Sequence, residues 1–299
     1  MKVALLALFT VLSLALAWNI IFDRKPSETD KWTVIDTKNG RVITFEEMAD
    51  QLMNHGVIGV SESHDNELHH RVQLEVIKAV HARDESLAVG MEMFQRPFQD
   101  AVDRYLAGEL TEAEFLAETE YLTRWGYPYD LYKPIVDYTH ANGIPLGALN
   151  ASKELTARVK QVGFDGLTDD EKAELGPIDF HVKEHRDFWF SLLGHLHGNR
   201  TPTEEEKEKS YQIMTIWDDY MAQSAARFMD DRKADRIVVL AGSGHIDGGF
   251  GIPDRAGNYS GKSSVTIATN VGCTPENMPY LPVDYIVCVP LNQAPPAQK

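Results

Sequence analysis

The feature that most constrains the fold is a stretch of ten residues in which an apolar segment, 57–60 (Val-Ile-Gly-Val), is followed by a polar one, 61–66 (Ser-Glu-Ser-His-Asp-Asn). The apolar segment is typical of a short buried strand, and a helical pattern begins directly after the polar segment, at Glu67. The polar segment therefore places Glu62 and His64 at the carboxyl end of a strand. In α/β proteins this is the edge of the sheet at which ligands bind.

Three later predicted strands also end in polar side chains that can bind ligands. They are residues 87–90, 144–149 and 237–241, which run into Glu92, Asn150 and Gly242-Ser-Gly-His245. The alternation of strands and helices predicts an α/β fold with a mostly parallel sheet flanked by helices on both faces. The carboxyl ends of such strands share one edge, so we expect one cleft to contain four ionisable side chains, with Asn150 near its rim. These four are Glu62, His64, Glu92 and His245.

Two imidazoles and two carboxylates in one cleft favour two kinds of chemistry. Three of the four, His64, Glu92 and His245, could hold a divalent metal ion, since imidazole and carboxylate are common metal ligands. Alternatively, the four groups could act as a general acid and a general base. A loop histidine is often only solvated or hydrogen-bonded, but a carboxylate directly after an apolar strand is costly unless it is paired or functional. A metal-dependent hydrolase is therefore one functional hypothesis.

The charge balance excludes one class of partner. The chain has 45 acidic and 29 basic residues, a net charge of −16, and no run rich in lysine or arginine. Binding to nucleic-acid phosphates needs a basic surface, so we expect no nucleic-acid partner. The two cysteines, Cys273 and Cys288, are too few for a cysteine-rich zinc module. They form either a disulfide in an oxidising compartment or two buried thiols.

The first 22 residues have the pattern of an export signal. Lys2 precedes an apolar run that reaches Ala15-Leu-Ala17, and small residues at this position suit a signal peptidase. Because apolar residues continue to Phe22, the segment is also long enough for a membrane anchor. Both interpretations, a cleaved signal and a membrane anchor, stay open. Both predict an exported protein, and the anchor also predicts attachment to the membrane. The rest divides into a polar linker at 23–31, a domain at 32–290 and a disordered tail at 291–299.

Within the domain, two segments have clear local signals. The dipeptide Asn39-Gly40 lies between alternating apolar runs and predicts an opening β-hairpin. Residues from about 165 to 232 lack strand patterns and contain two helix-capping boxes, which predict a smaller all-helical subdomain. His181 and His185 in this segment are interpreted as exposed helix residues.

The loop at 125–134 (Trp-Gly-Tyr-Pro-Tyr-Asp-Leu-Tyr-Lys-Pro) is dense in aromatic residues. Tyr127, Tyr129 and Tyr132 could form a packing layer over the core. Alternatively, they could form a flat wall for a large planar ligand, with a tyrosine oxygen that coordinates iron. The residues alone leave both interpretations open.

Several of these motifs, taken in their order and spacing over residues 48–257, resemble the ChaN-like haem-binding uptake family. This family belongs to a superfamily that also contains the Tiki, TraB and erythromycin-esterase proteins. The motifs are Ser61-Glu-Ser-His-Asp-Asn66, Glu92-Met-Phe-Gln-Arg96, the tyrosine loop, Ile144-Pro-Leu-Gly-Ala-Leu-Asn150, Gly242-Ser-Gly-His245 and Gly251-Ile-Pro-Asp-Arg255.

The resemblance implies a periplasmic or membrane-anchored protein of the bacterial cell envelope that takes part in haem or iron uptake or storage. It implies haem bound by a tyrosine at a homodimer contact, with Tyr132 the first choice, Tyr129 the second and Tyr127 in the same loop. The Gly-x-x-His signature of the superfamily maps onto 61–64 and 242–245, and its acidic residue onto Glu92. This sequence departs from the family in having Ser61 in place of the first glycine and no cysteine for lipid attachment after the apolar run.

Overall fold

The computed structural model describes residues 27–196, 202–274, 276–277 and 281–293. The proposed signal or anchor at 1–22 lies outside these residues, as do 294–299 of the proposed tail. Among the helices of the described ranges, none has the length and apolar character needed to cross a membrane.

Eight strands of the described residues form one sheet, in the order β2-β1-β8-β7-β3-β6-β4-β5. All neighbouring pairs from β8 to β5 are parallel, whereas β1 is antiparallel to both β2 and β8. This confirms the α/β fold with a mostly parallel sheet. The strands are β1 (Thr33–Asp36), β2 (Arg41–Ile43), β3 (Val57–Glu62), β4 (Leu87–Gln95), β5 (Leu146–Asn150), β6 (Arg236–Gly242), β7 (Ser264–Val271) and β8 (Tyr285–Val289).

The predicted opening hairpin is present as β1 and β2, with Asp36 paired to Arg41 across the turn. Gly40 in this turn has a φ of +61°, a conformation that glycine adopts without strain. The α-helices of the described residues are α1 (Phe45–Leu52), α2 (Glu67–His81), α3 (Gln99–Leu106), α4 (Glu112–Glu118), α5 (Tyr121–Arg124), α6 (Lys133–Asn142), α7 (Lys153–Val162), α8 (Asp169–Leu175), α9 (Lys183–Leu196), α10 (Glu204–Arg232), α11 (Ser243–Ile246) and α12 (Ile252–Ser260).

Helices cover both faces of the sheet because the central strands alternate their side chains between two apolar clusters. In β3, Ile58 and Val60 pack in the cluster that contains the buried faces of α1, α2 and α6. Val57 of the same strand packs in the opposite cluster, with α10 and α12. The two-residue period of a strand thus makes β3 hydrophobic on both faces, as expected for a central parallel strand.

Helix α2 has the buried stripe that its sequence predicts. Leu68, Val72, Val76 and Val80 are fully buried against the sheet, and Asn66 caps the first turn by accepting a hydrogen bond from the Leu68 N–H at 3.0 Å. Burial of each such side chain contributes about 1.5–3 kcal/mol. The helix therefore fixes the position of the polar segment between β3 and its own first turn.

The segment from 165 to 232 contains α8, α9 and α10 and no strand among its described residues. Capping boxes are present at Thr168 and Thr203, as the sequence indicates. The helices do not all stand apart from the sheet, however. The first half of α10 packs with α7 and α8, but its second half packs on the sheet through Ala225 and Phe228, so any division between the two parts of the protein runs through α10.

Short turns on both sides of the predicted domain contact it. Residues Glu28–Lys31, assigned to the polar linker, form a 3₁₀ turn capped by Ser27, and Glu28 pairs with Arg71 of α2. Leu291–Gln293, assigned to the disordered tail, form another 3₁₀ turn, and Gln293 accepts a hydrogen bond from the indole N–H of Trp32 at 2.8 Å. Long-range contacts that local sequence patterns cannot show hold both segments on the domain.

Cys273 and Cys288 form a disulfide with a Cα–Cα distance of 5.3 Å. Of the two interpretations that the sequence left open, the structure selects the bonded one. Cys288 lies in β8 beside Ile286, and its partner follows the neighbouring strand β7. The bond therefore ties together two adjacent strands near one side of the sheet.

We expect reduction of this disulfide to lower the free energy of unfolding by about 3 kcal/mol, the entropic contribution of closing a loop of this length. Urea unfolding with and without reductant measures the difference. The double variant Cys273→Ser/Cys288→Ala should start at the lower stability and show no response to reductant. Equal stability of the wild type in both conditions would contradict the structural role of the bond.

Candidate functional site at the carboxyl ends of the strands

The site is built on three adjacent strands, β3, β6 and β4, whose carboxyl ends lie at one edge of the sheet. Glu62 ends β3, Gly242 ends β6, and Glu92 lies within β4, which is longer than its sequence predicts because its end pairs with Asn150 across an irregular register. Glu92, Asn150 and His245 line one cleft of about 270 Å³. The imidazole of His64 packs on Trp125 in the wall of this cleft, with ring centroids 4.8 Å apart. Of the four ionisable side chains that the sequence predicts for this cleft, Glu92 and His245 line it, whereas Glu62 is buried and contacts His64.

Glu62 is buried, and three side chains compensate for the burial of its carboxylate. His64 Nδ1 lies 2.6 Å from its Oε1 atom, and the Tyr132 hydroxyl donates to the same oxygen at 3.0 Å. His70 Nε2 lies 2.6 Å from Oε2 in a direction unsuited to a hydrogen bond, so this contact is chiefly electrostatic. Burial alone would raise the pKa of Glu62, but the hydrogen bond from His64 and the nearby His70 lower the pKa below its ordinary value.

Glu92 occupies the centre of the site. Its Oε2 atom accepts a hydrogen bond from the backbone N–H of Gly242 at 2.8 Å, and its Oε1 atom lies 3.5 Å from His245 Nε2. Gly242 itself lies against His64, since a Cβ atom at this position would be 2.9 Å from His64 Cε1. The end of β6 therefore holds Glu92 in place and allows His64 to approach it.

A carboxylate of α10 contacts the imidazole of His245. The Nδ1 atom of His245 lies 2.6 Å from Oδ1 of Asp218, a residue that is fully buried. The other oxygen of Asp218, Oδ2, lies 3.0 Å from Nε2 of His185. Burial lowers the pKa of His245, but the negative charges of Glu92 and Asp218 outweigh it and raise the pKa to about 9. Burial likewise opposes ionisation of Asp218, yet its two histidines keep its pKa below the ordinary value. The imidazole of His245 is thus a cation at neutral pH.

The arrangement provides two histidines whose Nδ1 atoms contact buried carboxylates. This contact fixes the orientation of each ring and leaves Nε2 as the atom that can exchange a proton with a bound molecule. For His245, Nε2 faces Glu92 and the cleft. Burial lowers the pKa of His64, but Glu62 and Glu92 raise it above the ordinary value. The site is therefore suited to proton transfer.

The hypothesis of a metal centre at His64, Glu92 and His245 is not supported. Among the described residues, no group of three or more histidine, cysteine, aspartate or glutamate side chains is arranged to hold a metal ion. His64 Nδ1 contacts Glu62 and His245 Nδ1 contacts Asp218, so Nε2 is the atom that each ring offers to the site.

Sequence reasoning missed three members of the site: His70, Asp218 and His185. Asp218 had a detectable signal, because it lies four residues after Met214 and three before Met221 on the buried stripe of α10. His185 was interpreted as exposed, but it is buried beside Asp218 and Arg255. Of the two histidines that the sequence analysis interpreted as exposed, only His181, which precedes α9, is exposed. A charged group on a buried helix face is costly, and that cost could have identified Asp218 as a functional or paired residue.

The three tyrosines of the loop at 125–134 differ in exposure. Tyr132 is fully buried with its hydroxyl on Glu62, and Tyr129 is buried against Tyr121 and Phe115. Burial and the charge of Glu62 both raise the pKa of Tyr132 far above that of a free phenol. Tyr127 alone among the three is exposed, at 37%. Its ring lies beside those of His64 and Trp125, at centroid distances of 5.0 and 5.9 Å.

We expect the variant Asp218→Asn to lower the pKa of His245 from about 9, because the closest negative charge is lost. The folded pKa of His245 lies above its unfolded value of about 6.5, so its stabilising contribution is complete below that pH and is lost as the pH rises through 9. Removing the partner should lower the free energy of unfolding by about 3–5 kcal/mol at neutral pH. NMR titration of the imidazole and urea unfolding measure the two effects.

The matched control is Asp230→Asn, which changes an exposed carboxylate of the same helix. It should leave both the pKa of His245 and the stability nearly unchanged. An unaltered pKa of His245 in Asp218→Asn would show that the contact with Asp218 does not control the charge of this histidine.

Comparison with known proteins supports the same assignment as the motifs. The family model for haem-binding uptake proteins of the Tiki superfamily (ChaN) matches residues 48–256. A structure of ChaN from Campylobacter jejuni, which shows cofacial haem binding to that protein, is 20% identical, with 86% of this chain and 96% of that chain covered and a TM-score of 0.65. This likeness shows a shared fold. An erythromycin esterase, EreC, is 14% identical over 86% of this chain and 82% of its own, with a TM-score of 0.47 that is too low to support any argument.

No curated protein sequence matches the chain. The family model, however, extends from α1 to α12 and includes both the strand-end cleft and the tyrosine loop. The chain belongs to the haem-binding uptake family of the Tiki superfamily, the ChaN family.

Proposed function

We propose that this protein binds haem through a tyrosine of the loop at 125–134, at a contact between two copies of the chain, and serves in haem or iron uptake or storage in the bacterial cell envelope. Membership of the haem-binding uptake family supports haem as the ligand. The observation that carries the proposal is the exposed phenol of Tyr127 in the loop to which the family's tyrosine ligand maps.

The structure changes the order of preference among the three tyrosines. An iron ligand must present its oxygen to a molecule that arrives from solvent, and it binds ferric iron best as a phenolate. The hydroxyl of Tyr132 is buried and bonded to Glu62, and the high pKa of this phenol opposes ionisation. Tyr129 is buried as well. Tyr127 satisfies the requirement for access without any rearrangement, so it replaces Tyr132 as the proposed ligand.

The surface around Tyr127 also suits a large planar ligand. Trp125 lies beside the tyrosine ring, and Leu122, five residues before Tyr127 in α5, leaves 69% of its surface exposed. A shallow wall of this kind covers only one face of a porphyrin. A second copy of the chain would cover the other face and bury the apolar surface of both, so haem should promote dimerisation.

We expect Tyr127→Phe to lower the affinity for ferric haem and to remove the spectrum of a high-spin, tyrosine-bound ferric haem. Loss of an outer-shell partner alone costs roughly 10–100-fold in metal affinity, so loss of a ligand should cost at least that much. Titration followed by absorption spectroscopy, with sedimentation of each sample, measures affinity, ligation and dimerisation together.

The matched controls are Tyr129→Phe and Tyr132→Phe. The second should lower the stability by about 1 kcal/mol, because the hydrogen bond to Glu62 is lost, while haem affinity stays unchanged. If Tyr132→Phe alone removes the haem spectrum, the loop must rearrange on binding and Tyr127 is not the ligand. If the wild type shows no saturable haem binding, the proposed function is wrong.

Export to the cell envelope has support from outside the first 22 residues. The disulfide between Cys273 and Cys288 is of a kind that forms in the periplasm and on cell surfaces and is rare in the cytosol of most bacteria. This observation agrees with the signal or anchor interpretation of the N-terminal segment. Fractionation of cells that produce the full chain, with the first residue of the recovered protein determined, tests export and cleavage together.

A second candidate function belongs to the strand-end cleft, because haem at Tyr127 makes no use of the buried dyads there. His245 and His64 each contact a buried carboxylate through Nδ1, the arrangement of a histidine that acts as a general acid or base. We infer a hydrolase in which these two histidines transfer protons. A water molecule would give its proton to neutral His64 as its oxygen bonds to the substrate carbonyl, and His245 would protonate the departing alkoxide. Release of ethanol from an ethyl ester in the presence of a chelator, compared between wild type and His245→Gln, tests it.

A further inference from the structure

The mouth of the strand-end cleft has a charge opposite to that of the protein as a whole. The chain carries a net charge of −16, yet the cleft is lined by Arg124, Lys153 and Lys160 and has Glu92 as its one acidic side chain. The cationic His245 lies beside Glu92 and offsets its charge. Glu120 and Glu154 pair with Arg124, so the positive charges that the lining offers to an entering molecule are those of Lys153 and Lys160.

The basic side chains differ in what they already bind. Arg124 is satisfied, since it makes two hydrogen bonds to the carboxylate of Glu154 and a third to Gln95. Lys153 donates only to a backbone carbonyl, that of Thr123 at 3.3 Å. Lys160 lies over the ring of Trp217, with its Nζ atom 4.6 Å from the ring centroid. Among the ion pairs of the described residues, neither lysine pairs with a carboxylate, so both ammonium groups can bind an external anion.

These two lysines project from the same helix. They are seven residues apart on α7, which corresponds to two turns and places them on one face. That face borders the cleft, which Trp125 and Trp217 also line. Aromatic walls with a few polar groups inside are characteristic of small-molecule sites.

We propose that the cleft binds a small organic anion, with its carboxylate or phosphate held by Lys153 and Lys160 and its remaining part between Trp125 and Trp217, next to His245. This names the substrate class of the second candidate function and rests on the cleft being a functional site. At about 270 Å³ the cleft is below the usual range for drug-sized ligands and cannot enclose a porphyrin. The anion is therefore a separate molecule and not the haem of the tyrosine loop.

The test measures binding directly, without reference to catalysis. Inorganic phosphate and glutarate are the two anionic probes, and glutaramide is the neutral analogue of glutarate. Calorimetry gives the affinity, and NMR of the His245 imidazole shows whether the probe lies in the cleft. We expect at least one anionic probe to bind and to shift the His245 signal, glutaramide to bind far more weakly, and affinity to fall as salt is added. The stronger of the two probes identifies the anionic group as a phosphate or a carboxylate.

Variants assign the binding to the two lysines. Lys153→Gln and Lys160→Gln should each weaken the binding of the anionic probe about tenfold, the value of one charge-assisted hydrogen bond, whereas Lys160→Arg should retain it. Lys209→Gln removes the same charge from an exposed position on α10 and should have no effect.

Several outcomes would overturn the proposal. They are the absence of binding by both anions, equal affinity for glutaramide, and an equal loss of affinity in Lys209→Gln. A further contrary outcome is that the lysine variants weaken haem binding but leave the small anions unaffected, which would make these lysines contacts for haem propionates. Failure of ester hydrolysis with intact anion binding would reject the second candidate function and leave the site standing.

Discussion

The structure depends on the compensation of three carboxylates that are buried at the carboxyl edge of the sheet. Glu62, Glu92 and Asp218 are each nearly inaccessible to water, and an ionised carboxylate in such surroundings is unstable unless positive charge or hydrogen bonds are close. Histidines supply that compensation in every case, with Tyr132 and the N–H of Gly242 adding hydrogen bonds. The pairing fixes the orientation of the imidazoles that face the cleft, so stability and proton-transfer capacity arise from the same contacts.

The same contacts join the sheet to the helical segment. Asp218 lies in the middle of α10, between the half that packs on α7 and α8 and the half that packs on the sheet. The neighbouring residue, Asp219, is bound by the guanidinium of Arg255 from α12, which also contacts His185 of α9. Two successive carboxylates of one helix thus bind groups from three other elements. Relative movement of α9, α10 and α12 would break buried charge pairs, so these helices form a rigid support for His245.

Two surfaces with different chemistry meet at His64. On one side its ring packs on the exposed Tyr127, and on the other it packs on Trp125, which lines the cleft. The tyrosine loop exposes the aromatic ring of Tyr127. The cleft is small, basic at its mouth and acidic and imidazole-rich inside, which suits a small polar molecule. One fold can present both because the loop at 125–134 passes over the carboxyl ends of β3 and β4 before it enters α6.

Much of the fold was readable from local patterns. The hairpin at Asn39-Gly40, the stripe of α2 and the capping boxes at Thr168 and Thr203 were all predicted correctly, because backbone preference and hydrophobic period act over a few residues. The four residues Glu62, His64, Glu92 and His245 were placed at one edge because parallel strands force their carboxyl ends together. The sequence motifs also indicated the family.

What the tertiary structure decided is which groups contact which. The burial of Tyr132 against Glu62 and the exposure of Tyr127 follow from how one loop packs on β3, over a separation of 70 residues, and no local pattern distinguishes the three tyrosines. Asp218 reaches His245 from α10 and Tyr132 reaches Glu62 from the tyrosine loop, over separations of 27 and 70 residues. The sequence determined the elements and the edge at which the chemistry lies, since these depend on short-range preference and topology. Only the packed structure determined the exposure and the charge of these groups, because both depend on desolvation and on contacts between residues far apart in the sequence.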